Sequence, residues 1–463
     1  KYIDLAVDSS LQGMAITLPP PFAKGEHEAM PVHLERKGGN GDAYTAFKYA
    51  DRVHARFQAA PTGKARGLIS IGQTLGALPV SGVRIVGELE HIDFDLWRRI
   101  LLKPESKTPL GLDGVDVRVG VLDLYGHRFD KLGINAVRHG SAWRINLSGD
   151  GLNGVMQWNR GGSGKINGRF KTLALNGNPA RRPEQSAKTP QAMPALDIVA
   201  DSLTLKGKHL GKLELQAFEQ NNDWHIEALK LVSSASVLEV DGLWRDWNRN
   251  PVTELNLKLT VDNVGKLLTI LGYNNSIKNG TGLLEGRAMW AGPLYDIDYP
   301  SLAGTLKLEV EDGQFLQIDP GVGKLLSILS LQNLPRRVSL DFRDVFSSGF
   351  AFDKISSAIE IANGIAASDD FVMQGPAAHV VITGSTDLDV ETQDLQVTVV
   401  PNVGESFAVV SAFAGGPAVG LTALLLQKLL ENPLDKVTTF HYRVQGTWND
   451  PQVSKLDKPV TKG

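Results

Sequence analysis

The chain has 463 residues, a formal net charge of -3 and no cysteine. A nearly neutral charge disfavours a nucleic-acid-binding surface, which needs a positive excess, and the lack of thiols excludes disulfides, cysteine nucleophiles and cysteine-ligated zinc. The length is that of about three ordinary domains, or of one elongated body built from repeats.

The first residues, Lys1 to Asp8, already alternate between apolar and polar side chains as a strand does. They include neither an initiator Met nor a basic region followed by an apolar core, so the sequence shows no signal peptide. We therefore expect this chain to be the later part of a longer protein, with any membrane anchor upstream of it.

Alternation with a period of two dominates the rest of the chain, and turn residues such as Asn-Gly and Asp-Gly separate the alternating segments. The clearest segments are residues 83–89, 115–119, 203–206, 255–259, 306–310 and 395–399. We expect roughly 25 strands, more than in a usual sheet. The pattern indicates an antiparallel sheet with one apolar and one polar face.

Helical patterns are few and short. Residues 94–102, 264–272 and about 321–332 each predict two or three helical turns, and Gly272 is expected to end the second helix. A polar loop with four prolines is expected at 176–195.

An internal repeat is visible at a spacing of 81 residues. Six residues recur at that spacing: Gly126, Leu132, Ile134, Ala136, Trp143 and Ile145 match Gly207, Leu213, Leu215, Ala217, Trp224 and Ile226. Self-similarity at a long period is typical of stacked supersecondary units that bury their apolar faces against their neighbours. The sequence therefore predicts a repeated structural unit.

Residues 406–427 carry no charge, and Gly415-Gly416-Pro417 interrupts them. Because this break disfavours one continuous helix, we predict a pair of apolar helices over about 406–431. The pair has three possible roles: insertion into one membrane leaflet, a plug on the open end of the sheet, or a kinked single span. The candidate membrane-contact residues are Phe407, Val409, Val410, Phe413, Leu421, Leu424, Leu425, Leu426, Leu429 and Leu430.

No motif for catalysis is present. Residues 159–166 superficially suggest a phosphate-binding loop, but Asn159 replaces its first glycine and Ile166 replaces its magnesium-binding hydroxyl. No two histidines have the helical spacing of a metal site, and no Gly-x-Ser-x-Gly sequence occurs. We expect no catalytic residue, no metal, no cofactor and no enzymatic activity.

Several segments resemble one protein family. Residues 262–268, Leu271-Gly272-Tyr273 and Trp290-x-Gly292-Pro293 are similar to the AsmA-like C-terminal region. The segments that resemble the YhdP family specifically are residues 330–337, 340–344, 349–353, 432–436 and 442–451. The resemblance is specific over about 200–453 and looser before that.

This resemblance implies an elongated, continuous antiparallel sheet, curled into an apolar groove along which phospholipids cross the periplasm. The chain would be the C-terminal part of an inner-membrane-anchored protein, and its apolar helices would contact the inner leaflet of the outer membrane. Phospholipids are the implied partners, with outer-membrane or periplasmic proteins as further candidates. We expect no nucleic-acid partner and a monomer.

We expect two regions, repeated β-groove units over 1–260 and the AsmA-like region over 261–463. The alternating strands provide the candidates for groove-lining residues: Val83, Ile85, Val117, Val119, Leu203, Leu205, Leu255, Leu257, Leu306, Leu308, Val397 and Val399. Alternation alone also fits sheets packed as sandwiches. A structural or carbohydrate-binding β-solenoid and, less favoured, a membrane-spanning β-barrel are the alternative functions.

Overall fold

The computed structural model describes residues 4–39, 43–59, 65–101, 111–124, 126–159, 164–176, 193–247, 250–294, 296–316, 350–401 and 439–456. Within these residues the chain forms 24 strands, two α-helices and a 3-10 helix at Tyr299–Ser301. It divides into two compact units, residues 1–219 and 220–463. The predicted all-β class is confirmed.

The first unit contains thirteen strands and one helix. They are β1 (Leu5–Ser9), β2 (Val32–Lys37), β3 (Tyr44–Tyr49), β4 (Val53–Ala59), β5 (Ala65–Ile71), β6 (Gly82–Asp93), α1 (Phe94–Leu101), β7 (Leu112–Leu124), β8 (His127–His139), β9 (Ala142–Ser148), β10 (Leu152–Asn159), β11 (Lys165–Leu175), β12 (Ala195–Leu205) and β13 (Lys208–Gln220).

The second unit contains eleven strands and one α-helix. They are β14 (Asp223–Val232), β15 (Ser236–Trp247), β16 (Asn250–Val261), α2 (Val264–Leu271), β17 (Ile277–Ala291), β18 (Ala303–Phe315), β19 (Phe350–Ala362), β20 (Ile365–Gln374), β21 (Ala378–Asp387), β22 (Thr392–Pro401), β23 (Phe440–Thr447) and β24 (Pro451–Leu456).

Within each unit every strand pairs with the strand that follows it, as expected for hairpins joined by short turns. The second unit is antiparallel throughout. In the first unit, however, β5–β6, β6–β7 and β11–β12 pair in parallel. The expectation of an antiparallel sheet is wrong at these pairs, because each second strand starts at the same end of the sheet as the strand before it, so that a hairpin turn cannot join them.

The two helices predicted over 94–102 and 264–272 are confirmed as α1 and α2. Asn263 caps α2, since its side chain accepts a hydrogen bond of 2.8 Å from the backbone N–H of Lys266. Gly272 ends α2 in a left-handed conformation with φ of 96°. The predicted helix at 321–332, the helix pair at 406–431 and residues 177–192 of the predicted loop lie outside the described residues. None of the described helices has the length and apolar character needed to cross a membrane.

The strand boundaries agree with the repeat predicted at a spacing of 81 residues, which stays a prediction. His127–His139 and Lys208–Gln220 are both 13-residue strands, and both follow a glycine in the left-handed region, Gly126 with φ of 73° and Gly207 with φ of 76°. The next strand begins at Ala142 in one copy and at Asp223 in the other, again 81 residues apart. By contrast, the regional boundary predicted at 260/261 lies at the end of β16, inside the second unit, and stays a prediction.

Candidate functional site

The strands of the second unit have one face that is apolar almost throughout, here called the inner face. Register places Leu238, Leu259, Leu284 and Leu308 directly opposite one another across β15 to β18. Directly paired residues of an antiparallel ladder point to the same side of the sheet. Eight inner-face side chains form what we call the apolar strip: Leu238, Val240, Leu255, Leu257, Leu259, Leu284, Leu306 and Leu308.

Every member of the apolar strip is only partly buried. Toward one end of the strands the inner face becomes fully buried, at Trp224, Trp244 and Trp290, whose exposed fractions are 2%, 1% and 4%. The indole N–H of Trp290 donates to the backbone oxygen of Pro293 at 3.1 Å. At this end, neighbouring residues therefore cover the inner face completely. The apolar strip beyond it remains partly exposed.

The opposite end of the strands is closed by a hydrophobic core. Its members include Ile277, Val310, Phe315 and Phe352, and Val264 and Leu268 of α2 pack against it. The apolar strip thus lies between two buried clusters. The leucine and valine side chains between these two clusters are partly buried. An apolar ligand that covers them excludes water from their exposed surface, which lowers the free energy of the complex.

The outer face of the same strands is charged. Its cross-strand pairs include Lys230–Glu239 at 2.9 Å and Lys354–Glu311 at 3.3 Å. The hydrogen bond from Lys230 holds the pKa of Glu239 below its usual value. Such exposed pairs contribute little to stability. Because their charges keep the outer face solvated, the inner face is the apolar side of these strands.

The first unit has a similar inner face. Val117 pairs with Ile134, which pairs in turn with Leu147, and Ile145 pairs with Met156. Ile134, Ile145, Leu147 and Met156 are all partly buried. This unit therefore also presents apolar side chains that neighbouring residues cover only in part.

The predicted groove-lining residues divide into three groups by burial. Val83, Val117, Val119, Leu203, Val397 and Val399 are buried, whereas Ile85, Leu255, Leu257, Leu306 and Leu308 are partly buried and Leu205 is 37% exposed. Val397 and Val399 belong to the hydrophobic core of the second unit, with exposed fractions of 2% and 1%. Their role as lipid contacts stays a prediction. The predicted membrane-contact residues, Phe407 to Leu430, lie outside the described residues.

Sequence reasoning missed the polar residues of the inner face in β19 to β22. The Ser357 and Ser368 hydroxyls lie 2.9 Å apart, and Ser357 is 4% exposed. Gln393 is 5% exposed and pairs directly with Thr386. Their positions within the alternation could be read from the sequence, but their burial depends on the neighbouring strands.

The cluster of titratable groups around Asp123 is an ion-pair network. Asp123 accepts hydrogen bonds from Arg128 at 3.0 Å and lies 2.8 Å from the His91 ring. Burial alone would raise the pKa of Asp123, but the hydrogen bonds from Arg128 and His91 outweigh it and hold this pKa below its usual value. Among the described residues, no group of three or more His, Cys, Asp or Glu side chains is arranged to hold a metal ion.

Comparison with known proteins places this architecture in a family. The family model described as "YhdP protein" matches residues 1–453. The chain belongs to the YhdP family. A member from Escherichia coli (strain K12), named "Intermembrane phospholipid transporter YhdP", is 29% identical over 222 residues, which are 48% of this chain and 18% of that protein. The predicted YhdP resemblance is therefore confirmed. The matched segment covers less than a fifth of the YhdP protein of E. coli, and no solved structure matches the chain.

Proposed function

We propose that this chain binds phospholipids and passes them along its inner face as part of a conduit between membranes. The acyl chains would lie on the half-exposed leucines and valines, and the headgroups would remain in water. The observation that carries the proposal is the apolar strip of the second unit, where Leu257 and its neighbours are accessible while the opposite face of the same strands is charged.

The physical basis is the burial of hydrocarbon. Each methylene group removed from water gains about 0.8 kcal/mol, so an acyl chain has a strong preference for such a strip over solvent. Because side chains on the strip contribute no charge or strong hydrogen bond, neighbouring positions hold the chain with similar energies. Similar energies along a surface favour sliding over trapping, as transport requires.

The wider setting is also part of the proposal. We place the chain in the periplasm, as the C-terminal part of a protein anchored in the inner membrane, with Phe407 to Leu430 contacting the inner leaflet of the outer membrane. The name of the E. coli relative supports the substrate and the intermembrane setting. We propose that the chain acts as a monomer, that it carries no catalytic residue, and that outer-membrane or periplasmic proteins meet it at its ends.

Lipid extraction tests this function. The purified chain is extracted and its phospholipid measured by mass spectrometry, beside Leu257→Glu and Leu308→Glu on the apolar strip. Thr260→Glu is the matched control, because Thr260 is exposed and lies on the outer face of the same strand as Leu257. We expect bound phospholipid in wild type and Thr260→Glu and a severalfold loss in the strip variants. A folded wild-type chain without lipid would contradict the proposal and favour a structural or carbohydrate-binding role.

A further inference from the structure

Gln393 is a buried side chain with an unused hydrogen-bond acceptor. It lies on the inner face of β22 and is 5% exposed. Its Nε2 donates to the backbone oxygen of Thr447 at 3.3 Å, whereas its Oε1 has no hydrogen-bond partner. A buried acceptor without a donor costs free energy, so it calls for an explanation such as a ligand that supplies the donor.

The Trp448 side chain reaches across the strand that carries Gln393. Gln393 pairs directly with Thr386 on one side and with Gly446 on the other. From the end of β23, the Trp448 indole N–H reaches across to donate to Thr386 Oγ1 at 2.8 Å. Because β22 lies between β21 and β23, the indole crosses β22 on the face that carries Gln393, and one side-chain hydrogen bond anchors it. Swinging the ring aside would open Oε1 to the inner face.

The surrounding strand ends are acidic. Residues 385–394 and 443–451 contain five carboxylates, Asp387, Asp389, Glu391, Asp394 and Asp450, and a single cation, Arg443. Arg443 is already paired with Asp394 through contacts of 2.8 and 2.7 Å. This charge balance favours a positively charged ligand group and disfavours an anionic one.

We propose that Gln393 and Trp448 form a site for the ammonium of an ethanolamine headgroup on a phospholipid, favoured by the negative charge of these strand ends, a substrate class that rests on the proposed function. The ammonium N–H donates to Gln393 Oε1, and the displaced indole offers its face to the cation. Leu395, half-buried on the same face two residues along β22, provides the first contact for the acyl chains. A primary ammonium suits this acceptor, whereas a choline group has no N–H to donate.

A methylation series tests this assignment. The delipidated full chain is incubated with vesicles holding equal amounts of phosphatidylethanolamine, its monomethyl and dimethyl forms, and phosphatidylcholine, all with identical acyl chains. Bound lipid is then quantified by mass spectrometry. We expect about a tenfold preference for the unmethylated over the choline lipid, as one hydrogen bond to a charged group implies, with a decline along the series.

Two variants and a soluble competitor sharpen the test. Gln393→Leu should bring the ratio of bound phosphatidylethanolamine to bound phosphatidylcholine close to one. Gln396→Leu, on the outer face of the same strand, should retain the preference for phosphatidylethanolamine. Bound lipid with no preference in the wild-type chain would overturn this inference and leave lipid transport standing, whereas no bound lipid of any kind would overturn the proposed function itself. Free phosphoethanolamine binding as tightly as the diacyl lipid would overturn the assignment to a lipid. The wild-type ratio decides the question even if Gln393→Leu does not fold.

Discussion

Gly286 of β17 lies so close to Thr305 of β18 that a Cβ atom on Gly286 would be 2.0 Å from the Thr305 carbonyl oxygen. Only glycine permits this approach of two strands beneath the apolar strip. We expect Gly286→Ala to lower the free energy of unfolding by about 2–4 kcal/mol, since the backbone must shift. Urea denaturation measures the loss. Gly25→Ala is the control, because nothing lies within 4 Å of its added methyl. Equal midpoints for the two variants would contradict this account.

The two copies of the repeat should respond alike to loss of the same core residue. Leu132 and Leu213 are 1% and 8% exposed at equivalent positions of β8 and β13. We expect Leu132→Ala and Leu213→Ala each to destabilise the chain by about 2–4 kcal/mol through the lost contacts and the cavity. Leu205→Ala should cost much less, because Leu205 is 37% exposed. Thermal unfolding of the three variants compares them, and a Leu205→Ala loss as large as the others would show that burial does not set the cost.

The ion-pair network of Asp123 predicts a pH dependence. Since the folded-state pKa of Asp123 lies below its usual value of 3.8, its contribution to stability is present above that value and is lost as pH falls through the folded-state pKa. We expect Asp123→Asn to cost about 1–3 kcal/mol at pH 7 and progressively less below pH 4.

Chemical denaturation of wild type and variant between about pH 2 and 7 measures this difference. Asp116→Asn, an exposed change on the same strand, is the control and should show almost no difference at any pH. A loss for Asp123→Asn that stayed constant down to pH 2 would show that its carboxylate charge contributes nothing.

The cap of α2 should set the local stability of that helix. Asn263→Ala removes the hydrogen bond to the Lys266 N–H, and we expect a loss of about 1 kcal/mol. Amide hydrogen exchange should accelerate in Val264–Leu271 and stay unchanged in β21. Asn263→Ser, which retains a capping oxygen, should exchange nearly as wild type does. Unchanged exchange in Asn263→Ala would mean that packing against the core alone holds the helix.

Much of this fold was predictable because strand alternation is a local signal. Leu255, Leu257 and Leu259 share a face in any sheet, and Gly272 marked the end of α2 without tertiary information. The three parallel pairs were not predictable, since side chains alternate between faces in parallel and antiparallel strands alike. The direction is decided by the end of the sheet at which the next strand starts, which depends on contacts between strands distant in sequence.

The candidate site was less predictable, because burial is decided by residues distant in sequence. Leu257 and Val399 have the same alternating pattern, yet the first is partly buried and the second is 1% exposed within a core to which α2 also packs. Gln393 and Trp448 are 55 positions apart, and only the pairing of β22 with β23 places them at the same end of neighbouring strands. The segment 442–451 around Trp448 resembled a family without indicating that its indole donates to Thr386.

We expect lipid to move over the inner face and not over the outer one. The most direct test places a photo-crosslinking amino acid at Leu257, Leu284 or Leu308 of the apolar strip, and at Lys258, Glu285 or Lys307 of the outer face on the same strands. After irradiation in living cells, the chain is purified and its covalently attached phospholipid measured. We expect lipid adducts at the three strip positions and background levels at their outer neighbours. Equal labelling of both faces, or none on the strip, would contradict the account.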